Sequence, residues 1–421
     1  MKSPIAGAAA AWGRRSIVLA GPGALVAAGY IDPGNWATDL AGGSRFAYSL
    51  LSVVVACSLI AMLFQAMCAR LGIATGRDLA VLTRELHPRA AGLLWLGAEL
   101  AVVATDLAEV LGSALALKLL FGLPLLAGVA LTVLDVALIL GLERGANRVL
   151  ERLVASLALL VGAGLCYELV LSHFDGRALL SGLVPRARIA QDPQMLFASV
   201  GILGATVMPH NLYLHSSLVQ AHRGAARSAG DAARRVTVDT IVSLAGATLM
   251  NAALVVLAAA AFHGRGRSEV ASIEDAHRLL APLLGSTAAP VVFALSLLAA
   301  GQSATITGTL AGQVIMSGLL ELRWPAWRRR LVTRACAMLP AFAVIARWGE
   351  SSTGQLLLLS QVVLSLQLPF AIVPLMRLTS DPKLMGGLVN ALWMRAAGWA
   401  SVVLIVAANL ALLYGSLVPP R

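Results

Sequence analysis

Asp32 stands inside an apolar run, in the stretch Asp32-Pro33-Gly34-Asn35. A carboxylate in hydrocarbon is costly unless paired, neutralised or hydrated, so its presence points to a working site. Asn35, three residues on, can turn its amide oxygen to the same point if the segment is unwound. A second stretch of the same x-Pro-x-Asn form, Met208-Pro209-His210-Asn211, brings a thioether and an imidazole. Ala205, one turn before Met208, offers a backbone carbonyl if its helix opens there. On its own Met208 would read as core filler; beside Pro209, and opposite Asp32, it reads as a ligand. Oxygen donors alone suit magnesium or calcium. The sulfur adds preference for softer ions such as manganese, iron, cobalt or cadmium. Gln361 could complete the coordination or hold the ion's water, with Asn251 and Gln367 as outer polar groups.

A second set of residues suits proton movement. His210 titrates near physiological pH and lies within the second break, and His215 follows five residues on. Asp106 and Glu109 are three apart and so share one helix face. Two acids on one face of a membrane helix suggest a hydrated proton route, with a salt-bridged structural pair as the competing reading. Arg334 is the candidate partner. Gly301-Gln302-Ser303-Ala304-Thr305-Ile306-Thr307-Gly308-Thr309 is rich in small and hydroxylated residues, which let helices approach and hydrogen-bond.

The elements that must position these residues are apolar helices. The chain has 421 residues, of which 58% are hydrophobic and 13% charged, with mean hydropathy +0.82. A soluble protein would carry about 25% charge. Long apolar runs mark eleven spanning segments, near 16–43, 46–69, 91–121, 123–142, 152–173, 195–220, 236–262, 287–319, 331–346, 354–376 and 391–417. The polar stretches between them are too short for a soluble domain, so 1–421 reads as one transmembrane domain. Net charge is +11, but the basic residues sit in short loops as topology determinants do, which argues against nucleic acid as a partner. Most of the Lys and Arg fall on one face, including Arg223, Arg227, Arg234, Arg235 and the run Arg328-Arg329-Arg330. That places the N-terminus in the cytoplasm and the C-terminus outside. Arg14-Arg15 precede the first run without a convincing cleavage site after it, so that run reads as a retained helix. Cys57, Cys68, Cys166 and Cys336 lack CxxC spacing and read as small packing residues.

The first and sixth segments are the interrupted ones. Pro and Gly remove helix hydrogen bonds, and freed backbone survives in a membrane only where it lines a cavity or is buried in protein. Two breaks at matching positions of two five-helix halves are the signature of an inverted-repeat transporter with a midplane site. The halves run about 16–173 and 195–376, with an extra helix at about 391–417.

These motifs resemble the NRAMP family of divalent-metal transporters. DPGN at Asp32–Asn35 and MPHN at Met208–Asn211 are the family's two hallmarks. GQSATITGTLAGQ, Gly301 to Gln313, is similar to the family's transport signature. TDLAE from Thr105 and SQVVLSLQLPFA from Ser360 also resemble family segments, and the match spans nearly the whole chain. The resemblance implies an all-α LeuT-like fold and proton-coupled import of manganese or ferrous iron into the cell across the inner membrane, with cadmium and cobalt also carried. It implies metal ligands at Asp32, Asn35, the Ala205 carbonyl and Met208, joined in some states by Gln361. It implies a proton path through Asp32, His210, Asp106, Glu109 and Arg334. Metal and proton would be substrates, with no permanently bound cofactor and no obligatory protein partner beyond the bilayer. Lys118 departs from the family pattern, which has a neutral polar residue there. Competing readings are a sodium-coupled amino-acid carrier or a magnesium carrier of similar fold, and a passive channel. The sequence has no HExxH, nor a GxSxG with a plausible triad, so an enzyme is disfavoured.

Overall fold

A computed structural model describes residues 21–134, 147–223, 228–266 and 272–417. Arg14, Arg15, Arg227 and the second half of the segment expected at 123–142 lie outside the described residues. Within them the chain is helical, with no strand. The main helices are α1 (Pro22–Gly29), α2 (Pro33–Phe46), α3 (Leu51–Thr75), α4 (Ala91–Phe121), α5 (Asn147–Ser172), α6 (Pro193–Val207), α7 (Pro209–Leu218), α8 (Ala229–Ala261), α9 (Ala289–Leu320), α10 (Ala326–Trp348), α11 (Thr353–Thr379) and α12 (Leu392–Leu417). Shorter helices occupy connections, notably Ile273–Leu284 between α8 and α9.

Local sequence explains where these helices begin and end. Asp32 caps α2, Asp192 caps α6 and Ser228 caps α8, each side chain accepting a first-turn N–H, which satisfies donors a helix start leaves orphaned. Gly122, with φ +68°, ends α4 in the left-handed conformation that glycine adopts without penalty.

Nine stretches among the described residues are long and apolar enough to cross a membrane. The eight-residue α1 is too short to cross alone, and the expected fourth segment is described only as far as residue 134, with a helix over Leu125–Leu131. The apolar faces that point away from the core, such as Leu93 on α4 and Val403 and Leu410 on α12, are exposed. Bare apolar surface on this scale is untenable in water and ordinary against lipid. Cys166 and Cys336 lie on such exposed faces, whereas Cys57 and Cys68 are buried. The packing role expected of all four therefore holds for two.

The centre of the molecule is the contact between α4 and α9, where small residues bring two backbones together. A Cβ at Gly301 would come within 2.7 Å of the Ser113 hydroxyl and one at Gly308 within 3.0 Å of Glu109 Oε1, while one at Gly112 would come within 2.3 Å of Pro33 on α2. The glycines of the 301–309 stretch thus set α9 against α4. Arg328-Arg329-Arg330, expected in a loop before a helix starting at 331, lie on α10, which begins at Ala326. Arg329 and Arg330 are buried. Acidic partners on α4 hold them inside, a tertiary effect that a loop-charge tally cannot register.

Candidate metal site at two helix breaks

The first break runs from Tyr30 to Asp32, between α1 and α2. Pro33 has no N–H to donate, so the Gly29 carbonyl loses its partner in the helix ladder. The chain substitutes side chains. Asn35 Nδ2 donates to the Tyr30 carbonyl at 2.5 Å, and Asn251 Nδ2 on α8 donates to the same oxygen at 3.0 Å. Asp32 Oδ1 accepts the Asn35 backbone N–H at 2.8 Å. Every group in this arrangement is buried.

The second break is a single residue. α6 runs to Val207 and α7 starts at Pro209, with Met208 between them at φ 26°, ψ 98°. A side-chain-bearing residue at positive φ is strained, and such strain collects at functional sites. Ala205 lies four residues before Pro209, so its carbonyl has no i+4 N–H to accept. The Met208 sulfur faces the Asn211 amide nitrogen at 3.3 Å. The breaks meet directly: a Cβ at Gly29 would lie 2.6 Å from Asn211 Nδ2.

α11 closes the remaining side. A Cβ at Gly34 would fall 2.1 Å from the Gln361 amide, and one at Gly204 would fall 1.9 Å from the Gln361 carbonyl. Only glycine lets α2 and α6 come this close to α11. The pairings leave particular oxygens over. Asp32 Oδ2, Asn35 Oδ1, Asn251 Oδ1 and Gln361 Oε1 are buried without a hydrogen-bond partner. Buried polar atoms normally have partners, so a group of orphaned acceptors around two broken helices calls for a ligand. The donors suit a cation: one carboxylate, neutral oxygens and a thioether. No group of three or more His, Cys, Asp or Glu that could hold a metal occurs among the described residues. One full charge with neutral donors favours reversible binding, as passage requires.

The residues expected on a proton route lie beside this site. His210 Nδ1 stands 3.4 Å from the Thr105 hydroxyl on α4. One residue further, Asp106 Oδ1 is 3.1 Å from both Arg330 Nη2 and Arg334 Nη1, and Glu109 Oε2 is 3.6 Å from Arg330 Nη2. Thr305 on α9 donates to Glu109 at 2.9 Å. Arg329 adds a pair with Glu99 at 3.1 Å. The Asp106 and Glu109 pairs are buried on both sides, Glu99 is partly exposed, and the Asp106 oxygens make no aligned hydrogen bond. His215 lies elsewhere, in a chain from the Tyr30 hydroxyl through Gln65 (2.9 Å) to His215 Nδ1 (2.9 Å), with Thr240 at 3.3 Å from Nε2. Gln367 is not drawn to the breaks; a Cβ at Gly97 on α4 would touch its side chain.

Sequence reasoning missed Arg330 as the shared partner of both acids. Its position four residues before Arg334 puts the two on one helix face, a signal hidden by starting the helix too late. It also missed Gln65, and Asp239, whose Oδ2 accepts the Gly23 N–H at 2.8 Å and so fixes the start of α1 to α8. Lys118 is bound by Glu274 of the Ile273–Leu284 helix and by Glu350 before α11, which explains how a cation is tolerated at that helix end.

Fold and site define a class: a multi-pass membrane protein in which two interrupted helices pack against each other around buried, unsatisfied acceptor oxygens. The chain belongs to the Nramp family, since residues 23–415 match the natural resistance-associated macrophage protein-like model. It is 49% identical over 407 residues to a divalent metal cation transporter MntH of Nostoc sp., covering 96% of this chain and 92% of that one. It is 52% identical to the Ralstonia nicotianae MntH, covering 95% and 91%. The crystal structure of the Eremococcus coleocola manganese transporter, in complex with an aromatic bis-isothiourea substituted compound, superimposes with TM-score 0.84 at 39% identity, covering 94% of this chain and 86% of that chain. MhsT, in complex with L-phenylalanine, gives TM-score 0.62 at 18% identity over 96% and 99%. That likeness extends to the LeuT-like fold alone.

Proposed function

We propose that this protein imports divalent transition-metal ions, manganese or ferrous iron, with protons and by alternating access. The reading rests chiefly on one observation. Asp32 Oδ2, Asn35 Oδ1 and, on the facing α11, Gln361 Oε1 are buried and unpartnered beside two helix breaks, the second of which consists of the thioether residue Met208. Asp32, Asn35, the Ala205 carbonyl and Met208 hold the ion, and Gln361 joins them. The sulfur favours manganese, iron, cobalt and cadmium over magnesium and calcium. The manganese and divalent-metal transporters named above support that choice of cargo.

Protons move through His210 to Asp106 and Glu109, whose charge Arg330 and Arg334 balance, and His215 serves the other side of the break. Asn251 acts as an outer polar group of the site, whereas Gln367, packed against Gly97, takes no part. Two five-helix halves, about 16–173 and 195–376, are inverted repeats, with the helix at about 391–417 added. The chain lies in a cell inner membrane with its N-terminus cytoplasmic and its C-terminus outside. Withdrawing the buried Arg329, Arg330 and Arg334 from the loop charges leaves that bias standing.

Manganese uptake into proteoliposomes, with a pH dye inside and calcium and magnesium as competitors, tests the reading. Uptake accompanied by acidification, resistant to a large excess of magnesium, is expected. Uptake without acidification would remove the coupling, and competition by magnesium at equal concentration would remove the metal selectivity.

A further inference from the structure

A crevice of about 380 Å³ runs between α1, α5 and α8, on the side of α1 turned away from α7. Small side chains create it. Ala24 and Ala28 of α1, Ala158 of α5 and Gly246 of α8 line it, with Met250 and Ile31 at one end. A Cβ added at Gly246 would meet nothing within 4 Å. The rim is exposed and apolar, with Leu159 at 73% and Val242 at 49% exposure. Both rim residues belong to membrane-crossing stretches, Leu153–Ser172 and Ala229–Arg265. The mouth therefore opens onto hydrocarbon.

The occupant follows from that setting. Water needs two to four polar partners to stay in a cavity, and Ser243 carries the one polar side chain among these lining residues. A void would forfeit dispersion contacts along this side of α1. The bilayer supplies acyl chains at the mouth in great excess. The dimensions agree: the wall from Gly21 to Ile31 is about 15 Å long at the helical rise per residue. That is about half of a ~30 Å hydrocarbon core, or one leaflet.

We propose that this crevice is an acyl-chain site, in which one tail of a phospholipid from the adjacent leaflet lies along α1 between α5 and α8. Its far end abuts Ile31, one residue before Asp32. α1 is eight residues long and has no side-chain cap of its own. Asp239 fixes its start and Asn211 packs at its end; the tail braces its remaining side. The lipid thus becomes part of the wall of the first break, and displacement of α1 toward α5 requires the tail to leave. The site does not depend on which ion the protein carries.

Photo-crosslinking tests it directly. The full chain is reconstituted in phosphatidylethanolamine–phosphatidylglycerol vesicles containing a phospholipid with a diazirine on its acyl chain, and adducts are mapped by peptide mass spectrometry. Adducts are expected on Ala24–Ile31 and on Val242–Met250. Gly246→Leu should reduce them at least several-fold while adducts on Val403–Leu410 of α12 stay constant. Ala158→Leu, which fills the same space from α5, should do likewise and serves if Gly246→Leu does not fold. Crevice adducts unchanged in either folded variant would overturn the proposal. So would a crevice free of adducts in a wild-type protein labelled normally on α12, which would point to protein as the occupant. Manganese uptake, measured on the same vesicles, reports separately on the transport reading.

Discussion

The two helix breaks solve one problem by different means. At the first, the backbone is opened and repaired by polar side chains. Asp32 caps the new helix, and two amides share the Tyr30 carbonyl. At the second, no side chain caps the helix start, and the chain turns through a single residue at φ 26°. The first break therefore concentrates charge and hydrogen bonding, whereas the second holds backbone strain and a soft sulfur. Binding strength should reside mainly in the first and discrimination among ions mainly in the second.

Four substitutions test that division, from the largest effect to the smallest. Asp32→Ala removes the one full charge among the proposed ligands and should lower manganese uptake in vesicles by about 100-fold or more, since each 1.4 kcal/mol of lost binding is tenfold. Retained uptake would remove the first break from the site. Met208→Ala should leave manganese transport measurable but weaken cadmium binding by roughly tenfold while admitting calcium or magnesium. Competition assays read this directly, and an unchanged ion preference would refute the role assigned to the sulfur. Met208→Gly loses the same thioether but relieves the positive φ, so it should be more stable than Met208→Ala by about 1 kcal/mol. Equal thermal midpoints for the two variants would mean that the second break is not strained. Asn251→Ala takes away one of two donors to a single carbonyl and should cost about 1 kcal/mol in unfolding free energy. A much larger loss would show that the first break depends on α8 rather than on its own Asn35.

The same contrast explains which parts could be read in advance. Pro33 and Pro209 disclosed both breaks, because proline's missing N–H is a property of the residue itself. Asp106 and Glu109 disclosed a shared face through helical spacing alone. Arg329 and Arg330 were misread, because an arginine in a short polar run looks like a loop charge until its acidic partners are known. Gln65 and Asp239 stand inside expected apolar segments, but what each holds is defined by a partner far away in the chain. Gln367 had the right residue type and the wrong surroundings, packed against Gly97.

Sequence by itself determined that the chain fills a membrane with helices, that two of them are broken, and that a carboxylate and a thioether stand at the breaks. These follow from hydrophobic run length and from covalent constraints on the backbone, both local. Only the tertiary structure decided which donors remain free for an ion. That depends on which amides claim the Tyr30 carbonyl and on how closely Gly34 and Gly204 let α11 approach. It also decided that Asp106 and Glu109 of α4 face paired arginines and that α1 borders an apolar crevice. Hydrogen bonding and packing between distant segments are set by geometry, which residue order specifies only through the completed fold.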